Sequence, residues 1–198
     1  MNTRIQTEGT KQLLIETAAR LIKAAQSSSE ITIRKINAEA GVNLNAVNYH
    51  FGSKENLIRE AVRAIIGEYF HGRKLRPGSA GTDIYANLTR VCDFLFDRPV
   101  AARLALEAEL GVMGKGASLT TETMDAFLGL FRLALPTQDE PELRRRVWIL
   151  FSTVHQLVLR PDGCIEWLGV DPSDKGSRDV LLARLLETLG LTARRERS

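Results

Sequence analysis

Apolar residues recur at helical spacing along almost the whole chain. Leu14, Ala18, Leu21, Ile22 and Ala25 line one face of a first predicted helix, with Thr10 placed to cap its start. Ser27 to Ser29 break that pattern. Two short segments follow, Thr32 to Ala40 and Leu44 to Phe51, with Gly41 between them. Gly52 and Ser53 make a second break, and Ser53 is the expected cap of a longer helix carrying Ile58, Ala61, Val62, Ile65 and Tyr69. Arg76 to Gly81 reads as a loop. Further stripes come from Ile84, Leu88, Val91 and Leu95, from a helix opening at Asp97 to Pro99 and running to about Leu110, and from Met124, Phe127, Leu128, Phe131 and Leu135. Gly111 to Ser118 is a glycine-rich connector and Pro136 to Pro141 a turn. A long apolar helix is predicted over Glu142 to Arg160, a loop over Pro161 to Gly176, and a last helix around Leu181, Leu182, Leu185, Leu186 and Leu189. Ile31-Thr32-Ile33 alternates but is too short for a strand, so the predicted class is all-α.

Composition changes this picture little. With 198 residues, 44% hydrophobic and 26% charged, the chain is long enough for a sizeable core and is not a disordered type. The net charge of +3 is a mild bias. Residues 1–57 carry seven basic side chains against five acidic ones, a net of +2, which gains meaning only from a motif. Cys92 and Cys164 belong to no CxxC pair and read as ordinary thiols. No metal site and no cofactor is expected. The N-terminus has no apolar leader and no window is apolar enough for a bilayer, so the expectation is a soluble, cytoplasmic protein without a membrane partner.

The informative segment is Ile31 to Leu57, ITIRKINAEAGVNLNAVNYHFGSKENL. Thr32 can cap a helix whose inner face is Ile33, Ile36 and Ala40. Gly41 then suits the left-handed turn at a helix end, which costs any other residue roughly 1–2 kcal/mol. Val42 can fill the angle between helices, and Asn43 can cap the next one. Two short helices joined by a three-residue turn with glycine first form a helix-turn-helix. On the second helix Val47 and Phe51 face inward. Asn45 and Asn48 are natural adenine readers, because an amide both donates and accepts. Leu44 can touch a thymine methyl, while Tyr49 and His50 can donate to phosphate oxygens. Lys54, beside free N–H groups at a helix start, also suits a phosphate.

This string, with Ala40-Gly41-Val42 followed by Tyr49-His50-Phe51-Gly52-Ser53-Lys54, resembles the DNA-binding domain of the TetR (tetracycline-repressor-like) family, and so does the first helix, Lys11 to Ala25. The resemblance covers about residues 10–60; beyond it the chain is like the family only in length and helical architecture. The usual serine is Asn43, which caps equally well. The family often has a tyrosine where this chain has Asn48, which leaves Asn48 freer to reach a base. The resemblance implies that Arg34 and Lys35 open the helix lying across the DNA backbone, with Arg34 the favoured contact.

The expected organisation is a three-helix DNA-binding domain over 1–54 and a helical-bundle dimerisation and effector domain over 55–198. The resemblance implies a repressor that binds a palindromic operator in double-stranded DNA as a homodimer and is released by a small molecule. The wide apolar faces of the last two long helices fit a two-fold interface. Tyr85, Phe94, Phe127 and Phe131 are the candidate effector contacts, with ordinary core packing as the competing reading. The helix beginning at Ser53 is expected to grip both domains and transmit displacement. No enzyme is expected. The run Gly111 to Ser118 fails as a phosphate loop because its lysine precedes the last glycine and no strand leads in. No GxSxG occurs, and the three histidines lack metal-ligand spacing. The alternative function is a helical protein-interaction module with no effector.

Overall fold

The computed structural model describes residues 2–70, 80–111 and 119–191. Among these every regular element is helical: α1 Asn2–Ala24, α2 Ile33–Ala40, α3 Ala46–Phe51, α4 Lys54–Tyr69, α5 Ala80–Asp97, α6 Pro99–Gly111, α7 Leu119–Ala134, α8 Glu140–Leu159, α9 Pro161–Leu168 and α10 Lys175–Thr188, with a single 3-10 turn over Ser28–Glu30. The starts follow from side-chain oxygens that accept otherwise unpaired N–H groups. Thr32 accepts from Lys35 N–H, Ser53 from Asn56, Asp139 from Glu142 and Asp174 from Ser177.

Several boundaries differ from those read in the sequence; among them, α8 starts at Glu140, inside the stretch read as a turn. Thr10 lies inside α1 rather than at its start. Ala80 and Gly81 belong to α5, not to a loop. Pro161 to Gly176 is not one loop. Pro161 sits in the first turn of α9, where its missing N–H removes no helical bond, and Gly169 closes that helix at φ 63°. The last helix starts at Lys175, behind the Asp174 cap. The connector over 112–118 and the tail over 194–197 lie outside the described residues.

The chain forms two compact units, residues 1–71 with 98–119 and residues 72–97 with 120–198. In the first, α4 packs on α1, α3 and α6. Its inner face is Leu57, Ile58, Ala61, Val62 and Ile65, all buried. From α1, Leu14, Ala18, Leu21 and Ile22 join this core, and Ile36, Val47 and Phe51 close it from α2 and α3.

In the second unit α10 packs on α5, α5 on α8, and α8 on α9. The core holds Ile84, Leu88, Phe127, Phe131, Leu150, Phe151 and Leu182. One charged side chain is buried with it. Arg178 is 3% exposed, donates to Asp93 at 2.9 Å and to the Pro172 carbonyl at 2.7 Å, and stacks on the Phe96 ring at 4.6 Å. Lys175 reaches the same carboxylate at 2.9 Å. Cys92 and Cys164 are both free and buried.

Candidate nucleic-acid interface

The turn between α2 and α3 is built by backbone chemistry. Gly41 takes φ 64°, the left-handed region, and its N–H returns to Ala38 and Asn37 carbonyls. The next N–H, of Val42, closes on Asn37 at 3.1 Å. Asn43 then organises the entry to α3. Its Oδ1 accepts from Asn45 N–H at 3.0 Å and its carbonyl accepts from Ala46 N–H at 2.9 Å. The Asn43 cap therefore acts on a lead-in turn, and α3 itself begins three residues later, at Ala46.

α3 is sorted into two faces. Val47 is fully buried, and Phe51 is buried under the Lys11 ammonium, 5.9 Å from the ring centre. Asn48 and Tyr49 of α3 are exposed, and so are Asn43, Leu44 and Asn45 in the turn that leads into it. Tyr49 is 77% exposed, and its ring meets His50 edge-on at 4.9 Å. His50 is half-buried. Gly52 ends the helix at φ 75° and Ser53 starts the next, so Lys54 stands at the head of α4.

The surrounding charges are unequally committed. Arg20 pairs with Glu39, Lys23 with Glu68, and Lys35 with Glu30 at 4.0 Å. Arg34 and Lys54 have no ion pair among the described residues. Uncommitted cations thus stand on the elements before and after α3 in the chain, Arg34 in the first turn of α2 and Lys54 at the head of α4, with Thr32, itself exposed, as the α2 cap. Amide groups, an aromatic hydroxyl and free cations are the donor set that meets base edges and phosphates.

The sequence of this region carries the same meaning. Residues 14–61 match the bacterial regulatory proteins of the tetR family. The likeness to that family covers the helix-turn-helix head, about a quarter of the chain. The matched head has the helix-turn-helix form of that family's DNA-binding domain. The helical fold is also similar to that of solved structures. A TetR transcriptional regulator from Rhodococcus sp. RHA1 superposes with TM-score 0.62 at 16% identity, over 92% of this chain and 96% of that one. A second transcriptional regulator from Rhodococcus sp. Rha1 gives TM-score 0.57 at 19% identity, over 90% and 96%. At such identities the likeness is one of fold. No curated protein matches the chain by sequence.

Two residues of this site were not singled out in the sequence, and both are asparagines. Asn37 is fully buried in α2, its Nδ2 donating to the Leu44 carbonyl at 2.7 Å and its Oδ1 left without a partner. Asn56 donates to the Phe51 carbonyl, also at 2.7 Å, and accepts from Arg59. The sequence carries no signal for either: only the structure shows that Asn37 is buried while Ile33 and Ala40 of the same helix are half-buried.

The four effector candidates fall in the second unit. Phe127 and Phe131 are fully buried, and Phe127 meets Phe151 edge-on at 5.2 Å. Phe94 is buried, and Tyr85 is half-buried with its hydroxyl donating to the Asp179 carbonyl at 3.4 Å. A separate cavity of about 310 Å³ lies between α8 and α9, lined by Gln156, Arg160, Cys164 and Trp167 among others. No group of three or more His, Cys, Asp or Glu among the described residues could hold a metal ion. No helix among them is long and apolar enough to cross a membrane.

Proposed function

We propose that this chain is a TetR-type sequence-specific repressor that binds a palindromic operator as a homodimer and is released by a small-molecule effector. The exposed face around α3 supports the reading most directly. It presents Leu44, Asn45 and Asn48 for bases and Tyr49 and His50 for phosphates, with the uncommitted Arg34 and Lys54 on the elements before and after α3. Thr32 and Asn43 set the two turns that aim this face. In this reading residues 1–54 act as the reading head, residues 55–198 dimerise and take the effector, and the protein works in the cytoplasm.

Effector contact is assigned to Tyr85, Phe94, Phe127 and Phe131. Because Phe127 and Phe131 are fully buried, a ligand reaching them works by prising their packing apart, and its affinity depends on which packing the body adopts. α4 is the proposed link, since its buried face serves α1 and α3 on one side and α6 on another. Binding of the full-length chain to sheared genomic DNA, followed by sequencing of the retained fragments, tests the reading. An enriched inverted repeat is expected. Retention without any enriched sequence, or enrichment of a single unrepeated half-site, overturns it.

A further inference from the structure

We infer that Asn37 and Asn56 are positioning residues that set the base preference of α3 by fixing its two ends. The inference rests on the DNA-reading assignment above. The two amides do the same thing from opposite sides. Asn37, on the helix before α3, donates at 2.7 Å to the carbonyl of Leu44. Asn56, on the helix after it, donates at 2.7 Å to the carbonyl of Phe51. Those two carbonyls bracket the segment 44–51, which carries five of the proposed base and phosphate contacts.

That segment needs such support. α3 has six residues, far below the length at which a helix holds its own shape. Its inner face rests on Val47 and Phe51 alone. Apolar contact is non-directional, so it holds α3 against the core without fixing its roll or its slide. Hydrogen bonds are directional, and two of them at opposite ends fix both. Bidentate reading of a base by an amide tolerates an error of only about 0.5 Å. The surroundings of Asn37 point the same way. The side chain is fully buried and leaves its Oδ1 without a partner, so packing alone would favour an apolar residue there. The bond to Leu44 is what the amide adds. Asn37 is too deep to touch DNA itself, so any effect on sequence preference passes through α3.

The test uses the full-length chain and two variants, Asn37→Ala and Asn56→Asp, against the duplex selected by the wild type and a scrambled duplex. Aspartate at 56 still accepts from Arg59 and places a negative charge in the first turn of α4, where the helix end favours it, which offsets part of the cost of setting a carboxylate against the Phe51 carbonyl. For each variant the ratio of selected to scrambled affinity is expected to fall roughly tenfold, with scrambled affinity little changed in Asn37→Ala and lowered in Asn56→Asp, whose added charge acts on every duplex alike. Asn37→Ala should relax the base pairs read by Leu44 and Asn45, and Asn56→Asp those nearer Asn48. The melting temperature of Asn56→Asp should fall by no more than about 2–4 °C, too little to leave the chain unfolded under the binding conditions. Variants that keep the wild-type ratio overturn the inference. So does a fall in ratio that tracks a fall in melting temperature in both. A wild type with no preferred duplex overturns the DNA-reading assignment as well, which the variant arms alone cannot do.

Discussion

In the proposed reading, side chains at the exposed face around α3 contribute to DNA binding in two separable ways. Asn45 and Asn48 carry an acceptor and donors on one rigid plane, the pattern that matches adenine, whereas Lys54 carries charge with no base pattern. Asn45→Ala and Asn48→Ala are therefore expected to relax preference at particular base pairs by about 1–3 kcal/mol each. Lys54→Ala should weaken all duplexes alike and lower the salt slope by roughly one, and His50→Ala should weaken them uniformly. Affinities for a panel of single-base operator variants at two salt concentrations check this. Equal loss on every duplex from the asparagine variants would mean that the face is misread. Most of this face was legible in the sequence because the TetR-like string fixes which residues of α3 and its lead-in turn point inward: Val47 and Phe51 do, and Leu44, Asn45, Asn48 and Tyr49 do not. Asn37 and Asn56 were not legible. A buried amide looks like any other polar residue in a helix until the carbonyl it serves is known, and Leu44 lies seven residues further along the chain.

Helix periodicity shows that an element exists more reliably than where it ends, because ends are decided by single side chains. The Thr32 and Ser53 caps follow serine or threonine signals and were readable, while Asp174 was passed over inside a supposed loop and α10 was shortened as a result. α9 was missed because Pro161-Asp162-Gly163 reads as a turn, although proline is equally at home in a first helical turn. Neither was the α5–α10 tie visible, since Asp93 and Arg178 lie 85 positions apart. That tie should matter. Asp93→Asn leaves Arg178 charged and buried, and such a loss costs about 3–5 kcal/mol. Urea unfolding should show it, and Asp93→Ala combined with Arg178→Met should recover much of the loss. The same region sets an alkaline limit. Burial pushes the Cys92 thiol up to about 12 from an ordinary 9.0. The hydrogen bond to Asp93 is the largest of the causes that hold Lys175 above the usual lysine value. Both pKa values are raised on folding, so the folded chain binds more protons and stability falls as pH rises through this range. The Cys92 share is complete below 9.0 and is lost progressively towards about 12. Unfolding midpoints measured from pH 8 upward should fall steeply above 9, and Cys92→Ala should flatten that limb. An identical slope in the variant would assign the limit to other groups.

At the scale of the molecule the question is what covers the apolar outer faces of the second unit. Trp148 and Ile149 on α8 are exposed, as are Ile165, Trp167 and Leu168 on α9 and Val180 on α10, with Trp167 the most open at 84%. Scattered single apolar residues on a surface need no explanation, but large aromatics on consecutive helices of one unit do. The proposed homodimer supplies one, and α9, hidden in the sequence as a loop, adds to the faces expected of the last two long helices. A two-fold dimer carries two heads, and the second half-site is then bound as an intramolecular event. That raises operator affinity by about 10²–10⁴ over one head alone, without any new contact per head. The double variant Trp148→Glu with Trp167→Glu places two charges where an apolar partner surface is expected. Sedimentation at micromolar concentration should shift it from dimer to monomer. Its affinity for the full inverted repeat should fall to that for one half-site, while half-site affinity stays at the wild-type value, because neither tryptophan belongs to the reading head. Comparing the two duplexes separates lost assembly from lost folding, since an unfolded chain loses both. A wild-type chain that sediments as a monomer and binds the repeat no better than a half-site would remove the two-fold arrangement, and with it the argument for a palindromic operator.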